Sequence, residues 1–228
     1  MTVDVFSDVV CPFCYIGKRH LETALAELGL GNAEVRYRSF VLDPHLADSD
    51  LGSPSTLHLA AKKGLSAADA ERMTQAVAYR ASQVGIPMDF TKAKVLRTRD
   101  AHRLLQWART QSLEQAAKLK EELMNDYFCG GVNLNEPDAL ADAAERAGID
   151  AEQQALRQFR VSRTVFDQED FAKGGQCVAW GDVFHALFFG PVATRAVALS
   201  RLIGDSSQHR ANDWTVRSMG LRKQRISH

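Results

Sequence analysis

The hydrophobic positions of the first 45 residues follow two different periods. Val3 and Val5 alternate against Asp4, so Thr2 to Ser7 reads as a short strand. From Tyr15 to Leu28 the period lengthens. Ile16, Leu21, Leu25 and Leu28 fall roughly on one stripe, and Gly29 is a helix stop. Val35, Tyr37 and Ser39 then alternate with Glu34, Arg36 and Arg38, the pattern of a half-buried strand. Asp43-Pro44 ends it, since the residue before proline avoids helix. The opening of the chain therefore predicts a β-α-β unit.

From Ser55 to about Arg160 the helical period dominates. Ser66-Ala67-Ala68-Asp69 is a capping-box pattern with Asp69 in place of Glu or Gln, followed by a stripe of Met73, Val77, Ala81 and Val84. Gly85-Ile86-Pro87 breaks that helix. Asp100 to Gln111 predicts another, with Leu104, Leu105 and Ala108 apolar. Leu113 to Phe128 predicts a third, stopped by Gly130-Gly131, with Trp107, Tyr127 and Phe128 as core. Asn135-Glu136-Pro137 opens a fourth, with proline in a tolerated first-turn position and Gly148 as its end. Beyond Val161 the pattern fades. Val183 to Phe189 is apolar and fits strand or helix, and Ala193 to Ile203 suggests a helix. Gly204 to His228 carries five Lys/Arg against two Asp with little periodicity, and reads as a loose, basic tail.

Composition narrows the class. The 228 residues are 45% hydrophobic and 25% charged, an ordinary globular balance. Folding a chain of this size buries roughly 70% of its unfolded surface, so no staple is required for a core. Lys+Arg is 28 and Asp+Glu is 28, a zero formal charge that does not suit a nucleic-acid-coating protein. No apolar run reaches the ~18 residues of a membrane span. MTVDVFSDVVCPFC lacks the basic and apolar regions of a signal peptide, so the expected location is cytoplasmic.

The sharp chemical feature is Cys11-Pro12-Phe13-Cys14, directly after a strand and before a helix. That placement puts Cys11 near unpaired helix N–H groups, which favour an anion and lower a thiol pKa below ~8.5. The spacing brings the second sulfur one helical turn away, within reach of an exchangeable disulfide. Cys11 is the candidate attacking thiol, the more exposed of the two, and Cys14 the resolving one. Half of a zinc site is the competing reading, but Cys129 and Cys177 are isolated where a second close pair is usual. Cys129 reads as packing, and nothing near Cys177 favours a thiolate. His102 reads as a structural histidine or as a link between helices and active site. Lys18 and Arg19 read as a solvated helix face or as added positive potential near Cys11.

The stretch VDVFSDVVCPFCYIGKRHLETAL resembles the start of the DsbA family, in its FrnE-like cytoplasmic subgroup. The resemblance continues through SFVLDPHL, AKKGLS, DAHRLLQWA and NDYFCGGVNLNEPDALADAAERAGID, covering roughly residues 1 to 157. It implies an α/β, thioredoxin-like fold with an inserted all-helical domain. It divides the chain into a first thioredoxin-like part at 1–50, a helical insert at 51–157 and a return to the sheet at 158–203. It maps the redox cysteines of the family onto Cys11 and Cys14. It implies a thiol–disulfide oxidoreductase or isomerase with no cofactor beyond that pair. The partner would be a protein or small molecule bearing a disulfide or thiols, with no nucleic acid and no membrane, and the oligomeric state is left open.

After about residue 160 the resemblance is lost. The family's Gly-Val-Pro-Phe-Phe-like segment, whose cis-proline faces the cysteines, is not readable here. Only Pro191 stands late enough, and it reads as a loop proline. A reading-frame change over Trp180–Gly190 would account for the abrupt end. Two further readings stay open. Kappa-type transferases and isomerases share the layout and use glutathione, although they typically lack the second cysteine. A chain without a proper cis-proline segment could instead be catalytically impaired.

Overall fold

The computed structural model describes residues 2–149, all within one compact unit. Strand β1 (Thr2–Ser7), helix α1 (Pro12–Glu27) and strand β2 (Glu34–Ser39) form the expected β-α-β unit. The two strands pair in parallel, with Val3 opposite Val35 and Val5 opposite Tyr37. A parallel pair needs a crossover, and α1 supplies it. Every residue of β2 is half-buried, in keeping with its alternating sequence.

Helix α1 begins three residues earlier than its hydrophobic stripe suggests. Pro12 occupies the first turn, where its missing N–H costs nothing, and Cys11 becomes the N-cap. Cys14 therefore lies inside the first turn. The buried face of α1 is Tyr15, Ile16, Gly17, Lys18, Ala24 and Leu25.

Five helices follow: α2 (Ser55–Lys63), α3 (Ala67–Ser82), α4 (Arg99–Gln111), α5 (Leu113–Asn125) and α6 (Pro137–Arg146). Among the described residues no strand lies beyond β2, and one isolated antiparallel bridge joins Pro54 to Lys94. Ser66 caps α3 by accepting the Asp69 N–H at 3.1 Å, as its sequence predicts. The stripe of α3 is rotated from the predicted one. Ala70, Thr74, Val77 and Ala81, in 4-3-4 steps that keep to one helix face, are buried, whereas Met73 is 37% exposed. Helix α5 ends at Asn125 and passes into a π-helical turn, Asp126–Gly130, before Gly131 takes a positive φ of 70°. A Cβ on Gly131 would stand 2.5 Å from Lys92 Cβ, so only glycine fits this crossing.

The core of the helical block is built from Leu104, Leu119, Leu123, Met124, Phe128 and Leu134, each at most 1% exposed. Phe128 meets Tyr127 edge-on at 4.8 Å between centroids and Phe90 at 5.8 Å. Tyr15 of α1 lies 6.4 Å from the same ring, which joins the β-α-β unit to the block. An ion-pair cluster reinforces that junction. Glu121 of α5 accepts from Tyr15 Oη at 2.8 Å, pairs with Arg19, and lies 2.7 Å from Lys18 Nζ. Lys18 is only 5% exposed, so the solvated helix face expected there is instead part of a buried contact. The expected return to the sheet at 158–203, the segment Val183–Phe189, the helix at 193–203, the tail at 204–228, Cys177 and Pro191 all lie outside the described residues.

Candidate active site

The loop from β1 to α1 carries Asp8, Val9, Val10 and Cys11, the first two buried and the last two half-buried. Asp8 is 1% exposed and Val9 is fully buried. The Cys11 N–H donates to the Asp8 carbonyl at 3.4 Å, which turns the chain into the helix. Cys11 itself has extended backbone angles, φ −93° and ψ 107°, as an N-cap requires. Its Sγ accepts the Cys14 N–H at 3.2 Å, while its carbonyl accepts from Cys14 N at 3.1 Å and Tyr15 N at 3.3 Å. A sulfur thus takes the place of the usual capping oxygen. Both cysteines are free thiols and both are half-buried, so exposure does not rank them as the sequence suggested.

The two sulfurs titrate as a pair, and the apparent pKa values belong to the pair. The hydrogen bond between them is the leading cause for both. It holds the Cys14 thiol below its ordinary range and pushes Cys11 well above. Burial and the Asp8 charge raise both thiols, whereas a backbone hydrogen bond at Asp8 and then the Lys120 charge lower Cys14. The pair therefore gives up its first proton readily and its second with difficulty. The helix N-terminus alone predicts a lowered pKa on Cys11. In the fold the lowered thiol of the pair is Cys14, with the hydrogen bond to Cys11 as the leading cause.

Asp8 is held by three donors from three places. His102 Nε2 of α4 stands 3.0 Å from Oδ1, the Leu42 N–H donates to Oδ2 at 2.8 Å, and Thr98 Oγ1 approaches Oδ2 at 3.3 Å. Burial pushes the Asp8 carboxyl up, but the His102, Leu42 and Thr98 contacts together bring it below the usual carboxylate range. His102 is thus the buried structural histidine anticipated from its segment, and it ties α4 to the active-site loop. Asp8 was not singled out in the sequence, where its partner stands 94 positions away.

Lys120 is the other residue that sequence reading missed. It lies on the buried face of α5 with Ala116, Leu119, Leu123 and Met124, and is 1% exposed. Burial lowers its pKa to about 8, while Cys14, Asp8 and Cys11 act to hold its proton. A lysine within a 3-4 stripe of apolar positions was the available signal. Lys18 and Arg19, the cations that the sequence suggests, are instead committed to Glu22 and Glu121. Cys129 sits on the π-helical turn, half-buried, and burial and Glu121 raise its thiol pKa. Among the described residues no group of three or more His, Cys, Asp or Glu side chains is placed to hold a metal ion. No helix of the described part is long and apolar enough to cross a membrane.

Two solved structures are similar to this chain. The solved structure of a probable DsbA oxidoreductase from Streptomyces coelicolor superposes with a TM-score of 0.73 at 25% identity, over 93% of this chain and 94% of that one. The structure of a 2-hydroxychromene-2-carboxylate isomerase is more distant, with a TM-score of 0.49 at 21% identity over 72% of each chain. No curated protein matches the sequence. The family described as DSBA-like thioredoxin domain matches residues 2–177, past the point near residue 157 where the resemblance by motif fades. The chain therefore belongs to the DSBA-like thioredoxin family, with its thioredoxin-like α/β fold and helical additions.

Proposed function

We propose that this protein is a dithiol–disulfide oxidoreductase or isomerase working through Cys11 and Cys14. The observation that carries the reading is the capped pair. Cys11 Sγ receives the Cys14 N–H at the first turn of α1, and the two thiols share one easily lost proton. Thiolate character at a partly accessible helix start is what thiol exchange requires.

The exchange proceeds in two displacements. The thiolate of the pair passes its charge to Cys11 through the hydrogen bond between the thiols. Cys11 Sγ attacks one sulfur of a substrate disulfide, a mixed disulfide forms, and the other substrate sulfur leaves as a thiolate and takes a proton. Cys14 Sγ then attacks Cys11 Sγ, the protein disulfide forms, and the second substrate thiol departs. The substrate gains two electrons and the cysteine pair loses them. Run backwards, the same steps oxidise a substrate dithiol. The pair itself is the redox group, so the reading needs no added cofactor.

The substrate class is a disulfide- or thiol-bearing protein or small molecule, and the proposed location is the cytoplasm. A FrnE-like assignment rests on the motif resemblance. The proposed division, with 1–50 in the thioredoxin-like part and 51–157 as an insert, is supported by the run of helices from Ser55 to Arg146. Reduction of insulin by dithiothreitol, with and without the protein, tests the activity. Acceleration lost in Cys11→Ser and in Cys14→Ser supports the dithiol route. Acceleration that survives in Cys14→Ser and requires glutathione would favour a one-cysteine, glutathione-dependent enzyme instead.

A further inference from the structure

The carboxylate of Glu121 on α5 gathers three donors from one face of α1. Tyr15 Oη donates to Oε1 at 2.8 Å, Arg19 pairs with the same oxygen, and Lys18 Nζ lies 2.7 Å from Oε2. The contact is enclosed, with Glu121 20% exposed and Tyr15 2%. Arg19 also lies over the Tyr15 ring, 5.8 Å from its centroid. Burial and Glu121 push the Tyr15 hydroxyl well above its ordinary range, so it stays a donor wherever thiols exchange. Tyr15 follows Cys14 directly, and its N–H donates to the Cys11 carbonyl at 3.3 Å. The residue that Glu121 grips is therefore part of the hydrogen-bonded turn that sets Cys14 against Cys11.

The two displacements depend on this turn in different ways. Attack by Cys11 joins two molecules, so it follows the thiolate fraction and access. Attack by Cys14 occurs within the chain, so it follows how well the turn holds one sulfur against the other. A misplacement of about 1 Å in such a step costs on the order of a hundredfold in rate. The turn is fixed at its start by the Cys11 cap and at Tyr15 by Glu121, with Cys14 between them. We propose that Glu121, acting through the Tyr15 hydroxyl, is a positioning residue that holds Cys14 for the second displacement, the release of the mixed disulfide. This rests on the redox reading of the pair given above. With glutathione disulfide as substrate the balance is explicit. Cys11 Sγ bonds to one glutathione sulfur, and the other leaves as a thiolate. Cys14 gives its proton to solvent, its Sγ bonds to Cys11 Sγ, and the second glutathione leaves. Two electrons have then passed from the cysteine pair to the glutathione disulfide.

The test follows glutathione on Cys11 through a single turnover. Reduced protein is mixed with glutathione disulfide at several concentrations and quenched with acid at intervals, and peptide mass spectrometry reads the Cys11 adduct. The rise of the adduct scales with glutathione disulfide and reports attack. Its decay does not, and reports release by Cys14. Tyr15→Phe removes the hydroxyl and keeps the ring beside Phe128, and Glu121→Gln removes the charge. In both variants the decay should slow roughly tenfold or more, while the rise stays within about twofold of the parent. The thiolate absorbance should titrate as in the parent, which separates positioning from a change in thiol acidity. The double variant should be no slower than Glu121→Gln alone, because the two residues act through one bond. Tyr15→Phe decides the matter if Glu121→Gln does not fold. A decay unchanged in Tyr15→Phe, or a rise and decay slowed alike, would overturn the inference and leave the redox reading standing. An unaltered chain whose adduct never gives way to a Cys11–Cys14 disulfide would overturn both.

Discussion

Asp8 and Cys11 stand on one short loop, yet the polar groups around them are organised in opposite ways. Around Asp8 the network is closed: both carboxylate oxygens have donors, supplied by α4, by the segment before it and by the stretch after β2. Around Cys11 the network is open: two half-buried sulfurs share one easily lost proton, so the charge on the pair can change. A closed network fixes the loop, since removing any member leaves the others buried and unsatisfied. An open one can change its charge. The difference teaches which residues here hold the site and which act in it.

The largest effect should come from the open network. Cys11→Ser should lower insulin-reducing activity by more than a thousandfold while leaving the thermal unfolding midpoint nearly unchanged, since serine is an equally good cap. An unfolding midpoint that collapses with activity would erase the contrast with Asp8. The closed network should behave the other way. Asp8→Ala removes the acceptor for three donors and should cost about 3–5 kcal/mol of stability, measured by urea unfolding. The pH dependence has a definite sign. The Asp8 carboxyl is held below its ordinary value of 3.8, so its stabilisation is present above that value and is lost as pH falls below it. Asp8→Ala should therefore lose more stability at pH 7 than at pH 3.

Lys120 should invert that pattern. Burial lowers it from 10.5 to about 8, so the unfolded chain binds more protons between those values and stability rises with pH across that window. The retained charge costs about 3 kcal/mol below pH 8. Lys120→Met in the reduced protein should be more stable than the parent at pH 7 by up to that amount, with the gain fading toward pH 10. A Lys120→Met gain equal at pH 7 and pH 10 would contradict the lowered pKa of Lys120. The smallest effect serves as a calibration far from both networks. Ser66→Ala deletes the cap of α3 and should cost about 1 kcal/mol at any pH with no change in activity.

What the sequence reveals follows the range of the interaction involved. Local signals were legible. Alternation at Val3–Val5 and Val35–Tyr37, the capping Ser66, the proline opening α6 and the Leu104–Leu105–Ala108 stripe all stand where their patterns predict. The CxxC was legible because its chemistry needs only a strand, a cap and a turn. Pro12 also carried the true start of α1, which the apolar stripe alone placed too late. Signals that depend on packing were not legible. The π-helical turn at 126–130 continues the helical pattern without an obvious break, and Met73 fits the α3 stripe as well as Thr74 does. The Asp8–His102 pair joins distant segments, and its identity emerges only when α4 is laid against the loop. The burial of Lys18 and Lys120 was hidden for the same reason. Both are lysines on amphipathic helices, and only packing decides that Lys18 pairs with Glu22 and Glu121 while Lys120 lies over the Tyr37 ring.

The central claim is that Cys11 and Cys14 form one reactive site in which Cys11 attacks and Cys14 resolves. Trapping tests it most directly. Cys14→Ser protein, reduced and then exposed to a disulfide-bearing protein substrate, should accumulate a mixed disulfide, and peptide mass spectrometry should locate it on Cys11. The unaltered protein should accumulate none, because Cys14 releases it. A mixed disulfide found chiefly on Cys129 or Cys177, or one that accumulates equally when Cys14 is intact, would contradict the account.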